Sequence, residues 1–178
     1  MSTNTDEELH RMVKGIVDDL EAAVAGNLYR VDGDCRVIED LDEWKDEQYK
    51  KLLDEFREKH PRESFDPEET GFDTYEEWAE DEVGAADDDV DEPDEVSLSE
   101  YIEEQSLGDV RFEVDSDLDL NGGKVLFVYG GPNIWVADDE VRGYWGASTV
   151  EMSLDSQTRS ALYDWFDDLW TAKKEARL

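Results

Sequence analysis

Between residues 63 and 104 the chain carries 20 Asp and Glu and not one Lys or Arg. The segment supplies no cation of its own to pair with its carboxylates. Phe65, Phe72, Tyr75, Trp78, Val83, Leu98, Tyr101 and Ile102 are interleaved with the acids. So many apolar anchors inside an acidic run point to short elements pinned to a core with their carboxylates outside. The spacing predicts a helix over 74–82 and another over 97–104, with Ser97 or Ser99 at the start of the second. The stretch between them, 85–94, is nearly anchorless and reads as a mobile loop.

The flanks follow two different periods. From 6 to 25, Leu9, Met12, Val13, Ile16, Val17, Leu20 and Val24 recur every three or four residues, as on one face of a helix. Gly26-Asn27 is its stop signal. Short apolar runs on either side of Asp32-Gly33 predict a small hairpin. A second helix is expected over 42–59, lined by Trp44, Tyr49, Leu52, Leu53 and Phe56 and ended by His60-Pro61.

From 110 the period becomes two. Val110, Phe112 and Val114 alternate with Arg111 and Glu113, Asn121-Gly122-Gly123 reads as a turn, and strands follow around 125–129, 134–136, 141–145 and 149–152. Asp155 is placed to cap a last helix over 156–174 whose inner face is Leu162, Trp165, Phe166 and Leu169. The expectation is an α+β chain: an N-terminal helical region (1–62), an acidic segment with short helices (63–104), and an antiparallel β-meander with a packed terminal helix (105–178).

Net charge excludes several functions. With 51 Asp+Glu against 17 Lys+Arg the chain stands at −34. It lacks the cations that displace counterions from phosphates, so direct nucleic-acid binding is disfavoured, and an anionic membrane repels it. Hydrophobic residues at 38% and aromatics at 11% still leave material for a core. Cys35 is alone, the N-terminus has no signal-peptide pattern, and no apolar run approaches a membrane span, which together suggest a reducing, cytoplasmic setting.

Catalytic chemistry has little to draw on. His10 and His60 sit in helical contexts, and His60 suits a helix C-terminus better than a general base. Cys35 has no placed His or Asn and reads as a small hydrophobe. Gly130-Gly131-Pro132 lacks the Lys-Ser/Thr of a phosphate loop and precedes a strand, so its glycines read as a turn. Asp115, Asp117 and Asp119 begin like a calcium loop, but Leu120 and Leu126 stand where Gly and Glu belong. Solvent-facing Asp at alternate strand positions is the simpler account. No cofactor and no metal are expected.

The charge itself is the remaining signal. A folded chain of 20.5 kDa exposes roughly 8,900 Å², or about one net charge per 260 Å². Duplex DNA carries very roughly one per 100 Å². An even spread falls short, but the acidic window concentrates its charge enough to match DNA locally. Acids at i and i+4 on a helix lie about 5–6 Å apart at Cβ, close to successive phosphates once side-chain reach is added, and they repel. Glu76/Glu80, Glu77/Asp81, Asp42/Asp46, Glu43/Glu47 and Asp164/Asp168 all accept that repulsion. Salt adaptation is one alternative, against which Lys and Arg stand nearly equal at 8 and 9 and the acids cluster. A generic acidic interaction module is another.

Ser97-Leu98-Ser99-Glu100-Tyr101, Gly130-Gly131-Pro132-Asn133-Ile134-Trp135-Val136, Gly143-Tyr144-Trp145-Gly146 and Asp164-Trp165-Phe166 together resemble small acidic proteins of bacterial phages and mobile elements, which carry a GGPNI(W/Y)V core. The resemblance covers about 75 residues within 97–170 and implies a shared α+β fold and a mobile-element origin. In composition the chain is also similar to DNA-mimic antirestriction and anti-CRISPR proteins. The expected function is a non-catalytic inhibitor in the host cytoplasm. It occupies the basic DNA-binding groove of a CRISPR effector or restriction enzyme. The contact carboxylates are Asp66, Glu68, Glu69, Asp73, Glu76, Glu77, Glu80, Asp81, Glu82, Asp87, Asp88, Asp89, Asp91 and Glu92. Trp135, Tyr144 and Trp145 are expected in the core of the sheet domain, the alternative being a second contact patch.

Overall fold

The computed structural model describes residues 3–86 and 93–176. Its helices are α1 (Thr3–Ala25), α2 (Leu41–Lys59), α3 (Pro67–Thr70), α4 (Tyr75–Ala86), α5 (Leu98–Gln105) and α6 (Ser156–Glu175). Its strands are β1 (Leu28–Val31), β2 (Asp34–Val37), β3 (Asp94–Glu95), β4 (Val110–Val114), β5 (Leu120–Val128), β6 (Asn133–Ala137), β7 (Glu140–Trp145) and β8 (Ser148–Ser153). The chain is α+β, with N-terminal helices, a C-terminal five-stranded antiparallel sheet and a terminal helix.

Two compact units divide it: residues up to Val37 together with those from Asp94 onward, and Ile38–Pro93. The expected boundaries near 62 and 104 therefore differ from the observed ones. The reason is α1, whose apolar stripe is buried against the C-terminal sheet rather than within an N-terminal domain.

In the first unit, β4 to β8 pair in chain order as an antiparallel meander. Leu9, Val13, Val17 and Leu20 of α1 are buried in its core, as are Ala22 and Ala23, where the periodicity pointed to Val24. A Cβ on Gly143 of β7 would lie 2.7 Å from Val13 and 2.8 Å from Leu9, so a glycine there lets helix and sheet touch. α1 ends in a Schellman arrangement: Asn27 N–H donates to the Ala22 carbonyl at 2.8 Å, and Gly26 has φ +76°. Asp32 and Gly33, at φ 54° and 86°, make the hairpin turn between β1 and β2. α5 is fixed by a capping box in which Ser97 and Glu100 satisfy each other's backbone N–H groups.

Four expectations require correction. Asn121-Gly122-Gly123 is not a turn but the interior of β5, where a Cβ on Gly123 would strike Phe166 at 2.5 Å. The turn lies earlier: Asp115 Oδ1 accepts from the backbone N–H groups of Asp117 and Asp119 at 2.8 and 3.0 Å, and Leu118 has φ 66°. Asp115, Asp117 and Asp119 therefore shape a loop instead of alternating along a strand. Trp170 occupies the inner face of α6, its indole N–H donating to the Leu118 carbonyl at 3.0 Å, while Leu169 is exposed. Asp94, at the end of 85–94, forms β3 with Glu95, and the two pair with Arg30 and Tyr29 of β1; residues 87–92 lie outside the described residues.

In the second unit, Leu53 of α2 packs on Ala79 and Val83 of α4, with Tyr49, Leu52 and Phe56 around them. Trp78 centres an aromatic cluster, with ring centroids 5.0 Å from Phe56, 5.6 Å from His60, 5.7 Å from Phe65 and 6.0 Å from Tyr75. The Tyr75 hydroxyl donates to the His60 carbonyl at 2.5 Å, tying α4 to the end of α2.

Candidate partner-binding surface

α4 shows how aromatic anchors and acids share one helix. Tyr75, Ala79 and Val83 recur at four-residue spacing and are buried. The helix therefore turns Glu76, Glu77, Glu80 and Asp81 outward, and all four are exposed. Glu76 pairs with Arg62 at 3.2 Å, and Glu82 accepts from the Trp78 indole N–H at 3.3 Å. Both contacts lie at the solvent edge, and Arg62 is the one cation that an ion pair places on the outward face of α4 among the described residues.

Ahead of α4, Asp66 caps the single-turn helix α3, accepting from Glu68 N–H at 2.9 Å, and Pro67 takes the first helical position. Glu68, Glu69 and Asp73 are exposed beside it. Of the expected contact residues, Asp66, Glu68, Glu69, Asp73, Glu76, Glu77, Glu80, Asp81 and Glu82 thus lie exposed in one compact unit. Asp87, Asp88, Asp89, Asp91 and Glu92 lie outside the described residues.

The same unit gathers acids that the chain order separates. Asp40 caps α2 through the N–H groups of Asp42 and Glu43, at 3.1 and 3.0 Å. One turn on, Asp42, Glu43, Asp46 and Glu47 are all exposed. The like-charge pairs Asp42/Asp46 and Glu43/Glu47 therefore lie in the same compact unit as Glu76/Glu80 and Glu77/Asp81. They were not among the expected contact residues because a boundary at 62 places α2 and α4 in different domains. The packing stripe of Leu53 and Phe56 was the available signal.

Ile38–Pro93 holds 24 of the 51 acids and 6 of the 17 basic residues, a net −18 over 56 residues. A unit of that size exposes roughly 3,800 Å², or about one net charge per 210 Å², half the density of duplex DNA. Its acids are also unevenly placed. Toward the end of α2, Arg57 pairs with Asp54 at 3.4 Å and Lys59 with Glu55 at 3.9 Å, which leaves the excess to the start of α2, α3 and α4.

The sheet carries a different surface. Residues alternate along β6 and β7, so Ile134, Val136 and Val141 are buried while Trp135, Arg142 and Tyr144 point to the opposite face. The Arg111 guanidinium stacks over Trp135 at 4.5 Å and the Lys124 ammonium lies 5.6 Å from the same ring. Arg142 pairs with Glu140 and, at 2.9 Å, with Glu151. Trp135 and Tyr144 are therefore not core residues; only Trp145 packs against the core. A single-residue step along a strand reverses the face, which hydrophobicity alone does not reveal for a Trp.

Other candidate groups are accounted for locally. Burial pushes the Cys35 thiol up from its ordinary value, which lowers its thiolate fraction. Gly130, at φ +106°, makes the turn into β6, its N–H donating to the Asn133 side chain at 3.4 Å. Among the described residues no group of three or more His, Cys, Asp and Glu is placed to hold a metal ion, and no helix is long and apolar enough to cross a membrane. Comparison with protein families, curated proteins and solved structures finds no match.

Proposed function

We propose that this chain is a non-catalytic DNA mimic of phage or mobile-element origin. It occupies the basic DNA-binding surface of a host defence complex, a CRISPR effector or a restriction enzyme, in the host cytoplasm. The observation that carries the reading is the exposure of four like-charge i, i+4 pairs, two on α2 and two on α4, inside one small unit. Each pair costs about 0.2–0.5 kcal/mol in an isolated helix. A surface selected only for solubility has no reason to repeat that cost where cations at alternate positions would remove it.

The mechanism follows from electrostatics. A basic groove is attracted over a Debye length, about 8 Å at physiological salt, and association is accelerated. Carboxylates then replace phosphates as acceptors for Arg and Lys, and the groove is closed to DNA. The test is affinity capture from host lysate with duplex DNA as eluent, using the native chain and Glu76→Lys, Glu77→Lys, Glu80→Lys, Asp81→Lys combined. A nuclease or CRISPR complex held by the native chain, released by DNA and lost in the variant supports mimicry. Equal capture by the variant, or by an unrelated protein of matched charge, refutes it.

A further inference from the structure

Along α1, the positions beside the buried stripe are Met12, Gly15, Ile16 and Asp19, a second row in which a glycine and a carboxylate interrupt apolar residues. They border a groove of about 360 Å³ whose other walls include Phe127 of β5 and Tyr101 of α5. Gly15 has no packing reason to be glycine: a Cβ there meets nothing within 4 Å. A helix-interior glycine costs about 1 kcal/mol relative to Ala, and here its effect is to keep the groove open.

Asp19 gives the groove its chemistry. Its Oδ2 accepts from the Tyr101 hydroxyl at 2.9 Å, and among the described residues no Lys, Arg or His pairs with it. Neighbouring Asp18, by contrast, is paired with Lys14. Burial raises the pKa of Asp19, the direction expected of a carboxylate that lacks a counter-cation. Arg11 stands at the opposite end, eight residues and about 12 Å along the helix, so the groove favours a positive group at the Asp19 end only.

We infer that this groove receives one arginine side chain of a basic protein partner, the aliphatic stem on Met12 and Ile16 and the guanidinium on Asp19. The chemistry is complementary in three respects. A long cationic side chain buries an apolar stem beneath a charged head. A planar guanidinium presents several N–H donors at once, and a carboxylate can accept two of them. A half-buried carboxylate without a cation gains most from one. The inference rests on the partner being basic, as proposed above, and adds a specific anchor to a diffuse field.

The test uses the full ¹⁵N-labelled chain titrated with butylguanidinium at about 150 mM salt, with butylammonium and uncharged butylurea as comparators. Saturable amide shifts confined to Gly15, Asp19, Tyr101, Phe127 and their neighbours are expected, weakened about tenfold or more by Gly15→Leu and by Asp19→Asn. Leu is a better helix former than Gly, so the blocking variant keeps α1 intact. Shifts spread evenly over the carboxylates of α4, binding unchanged in Gly15→Leu, or equal binding of butylurea or butylammonium would overturn it. The lysine substitutions on α4 leave butylguanidinium binding in place, so failure of the groove and failure of DNA mimicry are read separately.

Discussion

Phe166 of α6 rests directly on the backbone of Gly123 in β5: a Cβ on that glycine would stand 2.5 Å from the ring. The contact brings the terminal helix onto the sheet, with Phe166 and Leu162, one turn earlier, fully buried. Gly123→Ala is therefore an overpacking substitution with no flexible side-chain end to yield. It is expected to destabilise the first unit by about 1–3 kcal/mol, read as a lower urea midpoint at unchanged m-value.

Asp155 caps the same helix, accepting from Thr158 N–H at 2.7 Å, and that backbone bond holds its pKa below the ordinary Asp value. A depressed folded pKa stabilises above the unfolded value and is lost as pH falls through the folded one. Asp155→Ala is expected to cost about 1 kcal/mol at pH 7. The gap between the native chain and the variant should close in denaturation curves taken as pH falls below that of an ordinary Asp.

Asp19 has the opposite sign. Burial, ahead of the lowering effect of the Tyr101 hydrogen bond, raises its pKa, so its contribution to stability is full below the unfolded pKa and lost as pH rises through the folded one. Tyr101→Phe removes the one hydroxyl that stabilises the charged form. The side-chain carboxyl of Asp19, followed by NMR, should then titrate higher than in the native chain, and stability at pH 7 should fall by about 1.5–3 kcal/mol.

Trp78 joins α2, the segment around Phe65 and α4 through four ring contacts. A unit of 56 residues has a thin core, so Trp78→Ala, at about 3 kcal/mol or more, is expected to unfold it. Amide spectra should lose the dispersion of Ile38–Pro93 residues while Val125, Ile134 and Val141 keep theirs. Loss of both sets at once would show that the two units fold as one.

Elements specified by neighbours in the chain were legible without coordinates. The stripe of α1 follows from its three-and-four spacing, the β1–β2 turn from Asp32-Gly33, the α5 start from the serines at 97 and 99, and the α6 cap from Asp155. In each case the partners lie within a few residues, so local geometry has one low-energy solution. The aromatic anchors Tyr75 and Trp78 likewise predicted a helix whose acids face outward.

What only the tertiary structure decided involves partners far apart in the chain. Gly122-Gly123 carries the same signal whether glycine serves a turn or the approach of Phe166, 43 residues later. Trp135 suits a core or an open sheet face equally, until Arg111 and Lys124 are found over its ring. Asp94 and Glu95 become a strand only because Arg30 and Tyr29 offer an edge. The grouping of the α2 acids with those of α4 depends on Leu53 meeting Val83. Sequence determined the amount of negative charge and its helical spacing, because both are properties of adjacent residues. Packing decided which charges share a compact unit, because burial joins whichever apolar stripes fit, regardless of their distance along the chain.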